Sequence, residues 1–197
     1  MAAMLMGAWS LQSCDNEPTK EVWLDEFGQD SCYVQDWGML EVNRSVVHTP
    51  LTVNGVVYER GLGAHSISRL LYDLDGKAVS ISGLAGADDK NLFAGKLQFK
   101  ILGDKKELWK SGVMQKGDPV KEFNVNLKGV DKVLLLVEEC GDGIMYDHAD
   151  WLNVKITTRG DVKPVPAWAK PVAKEKYILT PPAPESPVIN NPLVYGA

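Results

Sequence analysis

Residues 141–151, in the second half of the sequence, carry side chains that can bind an ion or a small polar molecule. They include three carboxylates, one imidazole and two aromatic rings, which belong to Asp142, Asp147, Asp150, His148, Tyr146 and Trp151. Two glycines allow backbone angles that other residues avoid, and the apolar runs 132–138 and 151–157 flank the stretch. The sequence therefore predicts a loop between two strands that carries a recognition or ion site. The alternative is a solvated connection capped by Asx turns.

Calcium suits such a loop because it takes about six to eight oxygen donors from carboxylates and backbone carbonyls. The candidate ligands are Asp142, Asp88 and Asp89, although their spacing is not that of an EF-hand. A structural calcium ion is therefore an expectation, and no cofactor is required. A zinc site is unsupported, since the chain has no CxxC motif. Cys32 and Cys140 are expected to be free thiols or one disulfide.

Catalysis would require two carboxylates across a bond or an activated nucleophile. Asp147 and Asp150 are close in sequence, but in a loop or strand entry the sequence does not fix their separation. No serine or cysteine has a recognisable histidine partner motif. We therefore predict that this chain is not an enzyme, and we assign no catalytic residue.

The elements that position these residues are predicted to be strands. Apolar residues alternate in short runs between turn signals, and no window favours the helical period. Asn54 and Gly55 separate two such runs and favour a type I′ hairpin. Gly61 and Gly63 predict a place where the backbone bends or passes close to another segment. The pattern predicts an all-β chain, either a β-sandwich or a jelly roll.

Length and composition favour one domain, residues 22–160, with a tail at each end. The chain has 197 residues, of which 45% are hydrophobic, so it can bury a core. Its net charge of -5 and pI of about 5.2 argue against nucleic acid as a partner. No apolar run reaches the roughly 18 residues of a membrane span.

The beginning of the chain predicts a lipid anchor. Residues 1–13 are apolar and lead into Cys14, and residues 11–14 resemble a lipobox. We expect residues 1–21 to be the remnant of a bacterial lipoprotein signal and a tail, in which Cys14 carries the lipid. This would be the only membrane association. The alternative is a disordered tail, because no Lys or Arg precedes Lys20.

Four segments together carry a resemblance to a known family, and they follow that family's order. They are Trp37-Gly38 with Asn43-Arg44-Ser45, residues 50–55, residues 61–65 and residues 141–151. Through them, residues 22–159 resemble the NPCBM domain, which is carbohydrate-binding module family 51. The resemblance implies a jelly-roll β-sandwich of the galactose-binding-domain-like type. It also implies a non-catalytic module that binds glycans or galactosides.

The end of the chain carries a second resemblance. Eight of the eleven prolines lie between Pro164 and Pro192, so residues 161–197 are predicted to form an extended linker to downstream domains. Residues 168–181 and 187–190 resemble the segment that follows this module in bacterial α-galactosidases of glycoside hydrolase family 27. The resemblance implies a catalytic barrel in the same polypeptide, in the bacterial cell envelope or secreted. The alternative function is a structural domain that packs on that barrel without binding sugar.

A sugar presents a weakly apolar face and a rim of hydroxyl groups, so its site needs a flat aromatic ring and fixed polar groups. The candidates of these types at predicted strand ends are Trp37, Arg44, His65, Asp147, His148, Asp150 and Trp151. Trp151 has the alternative of core packing, and His65 that of bonding only backbone. The two aspartates have the alternative of holding the loop through backbone amides. His148 is predicted to be the most exposed candidate.

Overall fold

The computed structural model describes residues 17–93, 95–161 and 163–167. The predicted lipidation site, Cys14, and residues 168–197 of the predicted linker lie outside the described residues. Within those three ranges, no helix has the length and apolar character needed to cross a bilayer.

Strands dominate the described chain, with two short 3₁₀ turns at Leu24–Phe27 and Gln29–Ser31. The strands are β1 (Thr19–Trp23), β2 (Cys32–Gln35), β3 (Glu41–Val42), β4 (Leu51–Val53), β5 (Val56–Tyr58), β6 (Gly61–His65), β7 (Ser68–Asp73), β8 (Ala78–Ala87), β9 (Leu97–Gly103), β10 (Lys106–Met114), β11 (Lys121–Asn126), β12 (Lys132–Glu139), β13 (His148–Arg159) and β14 (Val165–Pro166).

Two antiparallel sheets form the sandwich, which confirms the predicted fold class. The first sheet has the order β11-β8-β13-β6-β3, and β1 also pairs with β13. The second has the order β10-β9-β12-β7-β14, and β2 also pairs with β7. Strands β4 and β5 form a separate hairpin. Its turn residues, Asn54 and Gly55, have φ of 48° and 78°, as the predicted type I′ turn requires.

The core lies between the two sheets and is built by alternation along the strands. Leu97, Phe99 and Ile101 of β9 are fully buried, and the residues between them are half-buried. From the first sheet, Trp151 meets the ring of Phe99 edge-on at a centroid distance of 4.8 Å. Phe123 packs against Trp151 in the same way at 5.7 Å. Edge-to-face packing of this kind fixes the spacing of the two sheets.

The other face of the first sheet is covered by residues 43–60. Leu51 and Val53 of the β4 strand pack on Leu152 of β13 in a small second core. A Cβ atom at Gly63 would lie 2.3 Å from the carbonyl oxygen of Arg44. The glycine is therefore needed because another backbone passes directly over it, as the sequence predicted.

The observed strands differ from the predicted ones around the polar stretch. Strand β13 begins at His148 rather than at Trp151, and residues 61–65 form a strand rather than a bend. Residues 43–60, which cover the first sheet, explain why β13 begins earlier than predicted. They bury the polar side chains at its start, and periodicity assigns such residues to a solvated loop.

Candidate functional site

An aromatic cluster lies where β6 ends and β13 begins. His65 and His148 are paired across the two strands, and their ring centroids are 5.6 Å apart. Trp37 stacks on His148 at 5.7 Å with an interplanar angle of 8°, and it leans on His65 at 5.0 Å. Its side chain is 48% exposed. The site therefore presents one large ring to solvent above two buried imidazoles.

Trp37 is held by its backbone as well as by its ring. The segment between β2 and β3 carries it, and Gln35 Nε2 donates a hydrogen bond to the Trp37 carbonyl at 2.9 Å. The adjacent Gly38 has φ of 68°, and a Cβ atom there would lie 2.9 Å from the Val46 side chain. The ring is thus fixed in place before any ligand arrives.

Both histidines are neutral at neutral pH. Burial, strengthened by the neighbouring His148, lowers the pKa of His65 to about 4. Burial also lowers the pKa of His148. His65 Nδ1 lies 2.5 Å from the Ser66 carbonyl oxygen, which can only accept, so Nδ1 carries the proton. His65 Nε2 is therefore a hydrogen-bond acceptor.

Asp147 lies directly beside the cluster. It is fully buried, and its Oδ2 accepts a hydrogen bond from Ser66 Oγ. Its Oδ1 has no hydrogen-bond partner among the described residues. Burial raises the pKa of Asp147 to about 6, and the Ser66 hydrogen bond acts against that rise. The carboxyl group supports the end of β6 rather than facing solvent.

Asp150 lies deeper, on the same face of β13 as His148. It is fully buried, and burial raises its pKa well above the usual range, with the negative charge of Asp88 adding to the effect. Neither carboxyl oxygen of Asp150 has a hydrogen-bond partner among the described residues. This buried acid pair forms the floor of the site rather than a sugar contact.

Arg44 lies just after β3, the edge strand that pairs with β6. Its side chain is about half exposed, and its Nε lies 2.8 Å from Oε2 of the buried Glu41. His48 Nδ1 approaches the other Glu41 oxygen at 3.3 Å. Glu41 is paired with Gly63, and Gly63 with Asp150, so this charged group adjoins the cluster across β6. The exposed part of the guanidinium can still meet a hydroxyl group.

The predicted calcium ligands serve as backbone acceptors. Asp89 Oδ2 accepts from Gly55 N at 2.7 Å, and Asp142 Oδ2 accepts from Lys96 N at 3.2 Å. Asp88 accepts two backbone amides, including Lys90 N at 2.6 Å. In the described part of the chain, no three His, Cys, Asp or Glu side chains converge as a metal site. These residues do not fit an ion in this arrangement, so the calcium ion stays a prediction.

The structure brings together four of the predicted sugar-binding residues: Trp37, His65, Asp147 and His148. Trp151 is not among them. It is fully buried in the core, so the alternative of core packing is the observed one. His148 is only 8% exposed, and its predicted exposure is wrong because Trp37 covers it.

Three polar residues at the site were missed by the sequence analysis. Ser66 follows the glycine-rich segment that ends in His65, and Glu41 lies between two motif residues, Trp37 and Arg44. Asn91 exchanges two hydrogen bonds with the backbone of His148, through Nδ2 at 3.1 Å and Oδ1 at 3.0 Å. Only Ser66 and Glu41 had a signal in the sequence, since Ser66 directly follows a motif and Glu41 lies between two motif residues.

Known proteins resemble this chain in sequence and in fold. The sequence profile of the NPCBM/NEW2 domain matches residues 20–157. Alpha-1,3-galactosidase B of Akkermansia muciniphila is 29% identical over 130 residues, which is 64% of this chain and 16% of that protein. A putative endo-alpha-N-acetylgalactosaminidase of Renibacterium salmoninarum is 29% identical over 154 residues, 75% of this chain and 10% of its own length. The chain thus spans a small part of both relatives.

Two solved structures from Clostridium perfringens share the fold. One is the CBM51 of a GH95 protein in complex with methyl-galactose, with a TM-score of 0.63 and 25% identity over 70% of this chain and 99% of that one. The other contains the M60 catalytic domain of ZmpB with two CBM51 domains, with a TM-score of 0.64 and 28% identity. It covers 72% of this chain and 15% of that one.

Proposed function

This chain belongs to the NPCBM/NEW2 domain family, and from that premise we propose that it is a non-catalytic carbohydrate-binding module. Its binding surface is the aromatic cluster of Trp37, His65 and His148, and its ligands are galactose-type glycans. The observation that carries the proposal is the half-exposed Trp37 ring, which is stacked on one buried imidazole and leans on a second.

The cluster has the two properties that a sugar requires. The exposed indole ring offers a flat apolar surface to the C–H face of a pyranose. Below it, the neutral His65 offers a nitrogen that accepts a hydrogen bond from a sugar hydroxyl group. Arg44 supplies a donor at the border. Because these groups are fixed by packing before binding, the ligand loses little affinity to ordering of the site.

The choice of galactose is supported by the neighbours rather than by the site alone. The similar CBM51 structure from Clostridium perfringens holds methyl-galactose, and it is covered almost completely by this chain. One relative is named a galactosidase. A neutral site also suits an uncharged sugar, because both histidines have lowered pKa values.

The parent protein in this proposal is a glycoside hydrolase of the α-galactosidase type, anchored to the cell envelope through Cys14 or secreted. Both relatives are much longer than this chain and bear glycosidase names. In the ZmpB structure, CBM51 domains accompany a catalytic domain. A module of this kind holds the enzyme close to its glycan, which raises the local substrate concentration.

Calorimetric titration with methyl galactoside tests the proposal, with Trp37→Ala as the decisive variant. Loss of the exposed ring should weaken binding about tenfold or more, which corresponds to about 1.4 kcal/mol. Trp23→Ala is the matched control, because Trp23 pairs with Lys155 near the far end of β13 and should leave affinity unchanged.

A titration of the wild-type chain that shows neither heat nor a thermal shift with any galactoside would favour the structural alternative, a domain that packs on the catalytic barrel. The non-catalytic assignment has its own test. Hydrolysis of an aryl α-galactoside by this chain, lost in Asp147→Ala, would overturn it.

A further inference from the structure

We propose that two neighbouring loop segments, residues 91–93 with Gly95 and residues 141–147, form a second sugar subsite that holds the next residue of a bound glycan. This inference rests on the proposed function, because the first residue of that glycan occupies the Trp37 surface. No residue in the first of these loops was a candidate from the sequence.

The two loops present an apolar surface to solvent. Phe93 is 65% exposed, Leu92 75% and Met145 70%. Phe93 meets the ring of Tyr146 edge-on at 4.9 Å with an interplanar angle of 71°. Single exposed apolar residues are ordinary, but a contiguous aromatic and thioether patch marks an interaction site. The edge-on contact also fixes the direction of the Phe93 ring.

The loops are built into contact with each other. A Cβ atom at Gly95 would lie 2.4 Å from Asp147 Oδ1 and 2.7 Å from the Met145 carbonyl oxygen, so only glycine permits this approach. Lys96 N donates to Asp142 Oδ2 at 3.2 Å. Tyr146 has φ of 66°, which is rare for a bulky residue and costs free energy. The surrounding contacts therefore hold Tyr146 in an unfavourable backbone conformation, and this conformation orients its ring.

The patch is continuous with the sugar site through His148. Tyr146 is two residues before His148, whose ring lies under Trp37. Asn91, two residues before Phe93, fixes the backbone of His148 through both of its amide atoms. The same residue thus supports the first sugar position and anchors both loops of the second.

Two groups of side chains near the histidines differ in chemistry, and this difference indicates where a second sugar would bind. On one side of the histidines lies the ionic group of Glu41, Arg44 and His48. The Phe93 and Tyr146 rings lie on the two loops that adjoin His148, and they suit the C–H face of a pyranose. The occupant assigned to these rings is a second sugar, because they are exposed aromatic groups on loops that contact the strand of the first sugar position.

The test compares one sugar with two. Calorimetric affinities for methyl galactoside, α-1,3-linked galactobiose and lactose are measured for the wild type, Phe93→Ala and Met145→Ala. The wild type should bind at least one disaccharide about fivefold or more tighter than methyl galactoside, and each variant should lose that gain while keeping its methyl galactoside affinity. Val113→Ala is the control, because Val113 is also exposed but lies on β10 of the second sheet. Thermal unfolding establishes that each variant is folded.

The outcomes separate this inference from the proposed function. Equal affinity for one and two sugars in the wild type, or equal weakening of both by Phe93→Ala, overturns the second subsite and leaves the first. A concentration-dependent dimer that Phe93→Ala abolishes, with disaccharide affinity unchanged, assigns the patch to a second copy of this chain and also overturns the inference. Absence of binding to any galactoside overturns both proposals.

Discussion

The two faces of strands β6 and β13 have different chemistry, although the same two strands form both faces. On the face toward the second sheet lie Ala64, Ala149 and Trp151, all fully buried in apolar surroundings. On the opposite face lie His65 and His148, which meet Trp37. Because alternate side chains of a strand point to opposite faces, the core and the binding surface share one framework. The site is therefore as rigid as the core behind it.

The two tryptophans make the same contrast. Trp151 is enclosed by Phe99 and Phe123, whereas nearly half of the Trp37 side chain meets solvent. Burial of the Trp151 ring stabilises the fold, whereas the exposed surface of the Trp37 ring is available to a ligand. The difference lies in which segments cover each ring, and substitutions can separate the two roles.

The largest effect is expected for Trp151→Ala. Removal of this fully buried ring should lower the free energy of unfolding by about 3–5 kcal/mol, through lost burial and the cavity that remains. Urea denaturation measures the change. Trp37→Ala is the matched comparison and should cost less than about 1 kcal/mol. Equal losses of stability for the two variants would contradict the division between core and site.

The second prediction concerns the pH dependence of stability at Asp147. Burial raises the pKa of Asp147 from 3.8 to about 6, so the folded protein holds a proton that the unfolded chain releases. The resulting stabilisation is complete below pH 3.8 and is lost as the pH rises through about 6. A shift of about two units corresponds to about 3 kcal/mol.

Asp147→Asn keeps an oxygen that accepts from Ser66 and removes this titration. Its free energy of unfolding, relative to the wild type, should therefore rise by about 2–3 kcal/mol between pH 4 and pH 7. Urea titrations across that range measure it. Ser66→Ala removes a hydrogen bond that lowers the pKa of Asp147, so it should move the wild-type loss to higher pH. A constant difference between Asp147→Asn and the wild type would refute this account.

His65 contributes to the same profile with the opposite sign. Its pKa falls from 6.5 to about 4 in the folded protein, so its stabilising effect is present above pH 6.5 and is lost as the pH falls toward 4. The two groups partly cancel in the wild type. Acidification should therefore destabilise Asp147→Asn more steeply than the wild type.

A further effect on stability is expected at Gly63, between the two regions. A Cβ atom there would meet the carbonyl oxygen of Arg44 at 2.3 Å, so Gly63→Ala should displace the covering segment and cost about 1–3 kcal/mol. Gly141→Ala is a useful comparison, because a Cβ there meets nothing within 4 Å although φ is 91°. Its cost reports backbone strain alone. Thermal and urea unfolding measure both variants, and unchanged stability of Gly63→Ala would contradict the close passage.

Much of the fold was predictable from local patterns. Short alternating apolar runs between turn signals predicted strands, and Asn54-Gly55 identified a hairpin whose turn has the expected positive φ angles. Gly63 predicted that another segment passes close to the backbone, but not that this segment is residues 44 and 45. Strand β13 was assigned a start at Trp151, because the alternation of His148, Ala149 and Asp150 does not look like a strand until its polar side is known to be buried.

The candidate site was predictable in its residue types and less so in its geometry. Trp37, His65 and His148 were named from sequence, and the structure brings their rings within 6 Å of one another. Their order by exposure was wrong, because Trp37 covers His148. Asn91 and Phe93 carry no motif, and only contact between two loops distant in sequence gives them a role.

The sequence by itself determined that this chain is an all-β member of its family, because alternation, turn residues and motif order are local properties of the chain. The tertiary structure alone decided which tryptophan is core and which is surface, and which carboxyl groups have raised pKa values. Burial depends on segments that lie far apart in sequence, and the pKa values of Asp147 and Asp150 rise because those segments exclude water. The residue types determine which chemical groups the site contains, and long-range packing determines which of these groups face a ligand.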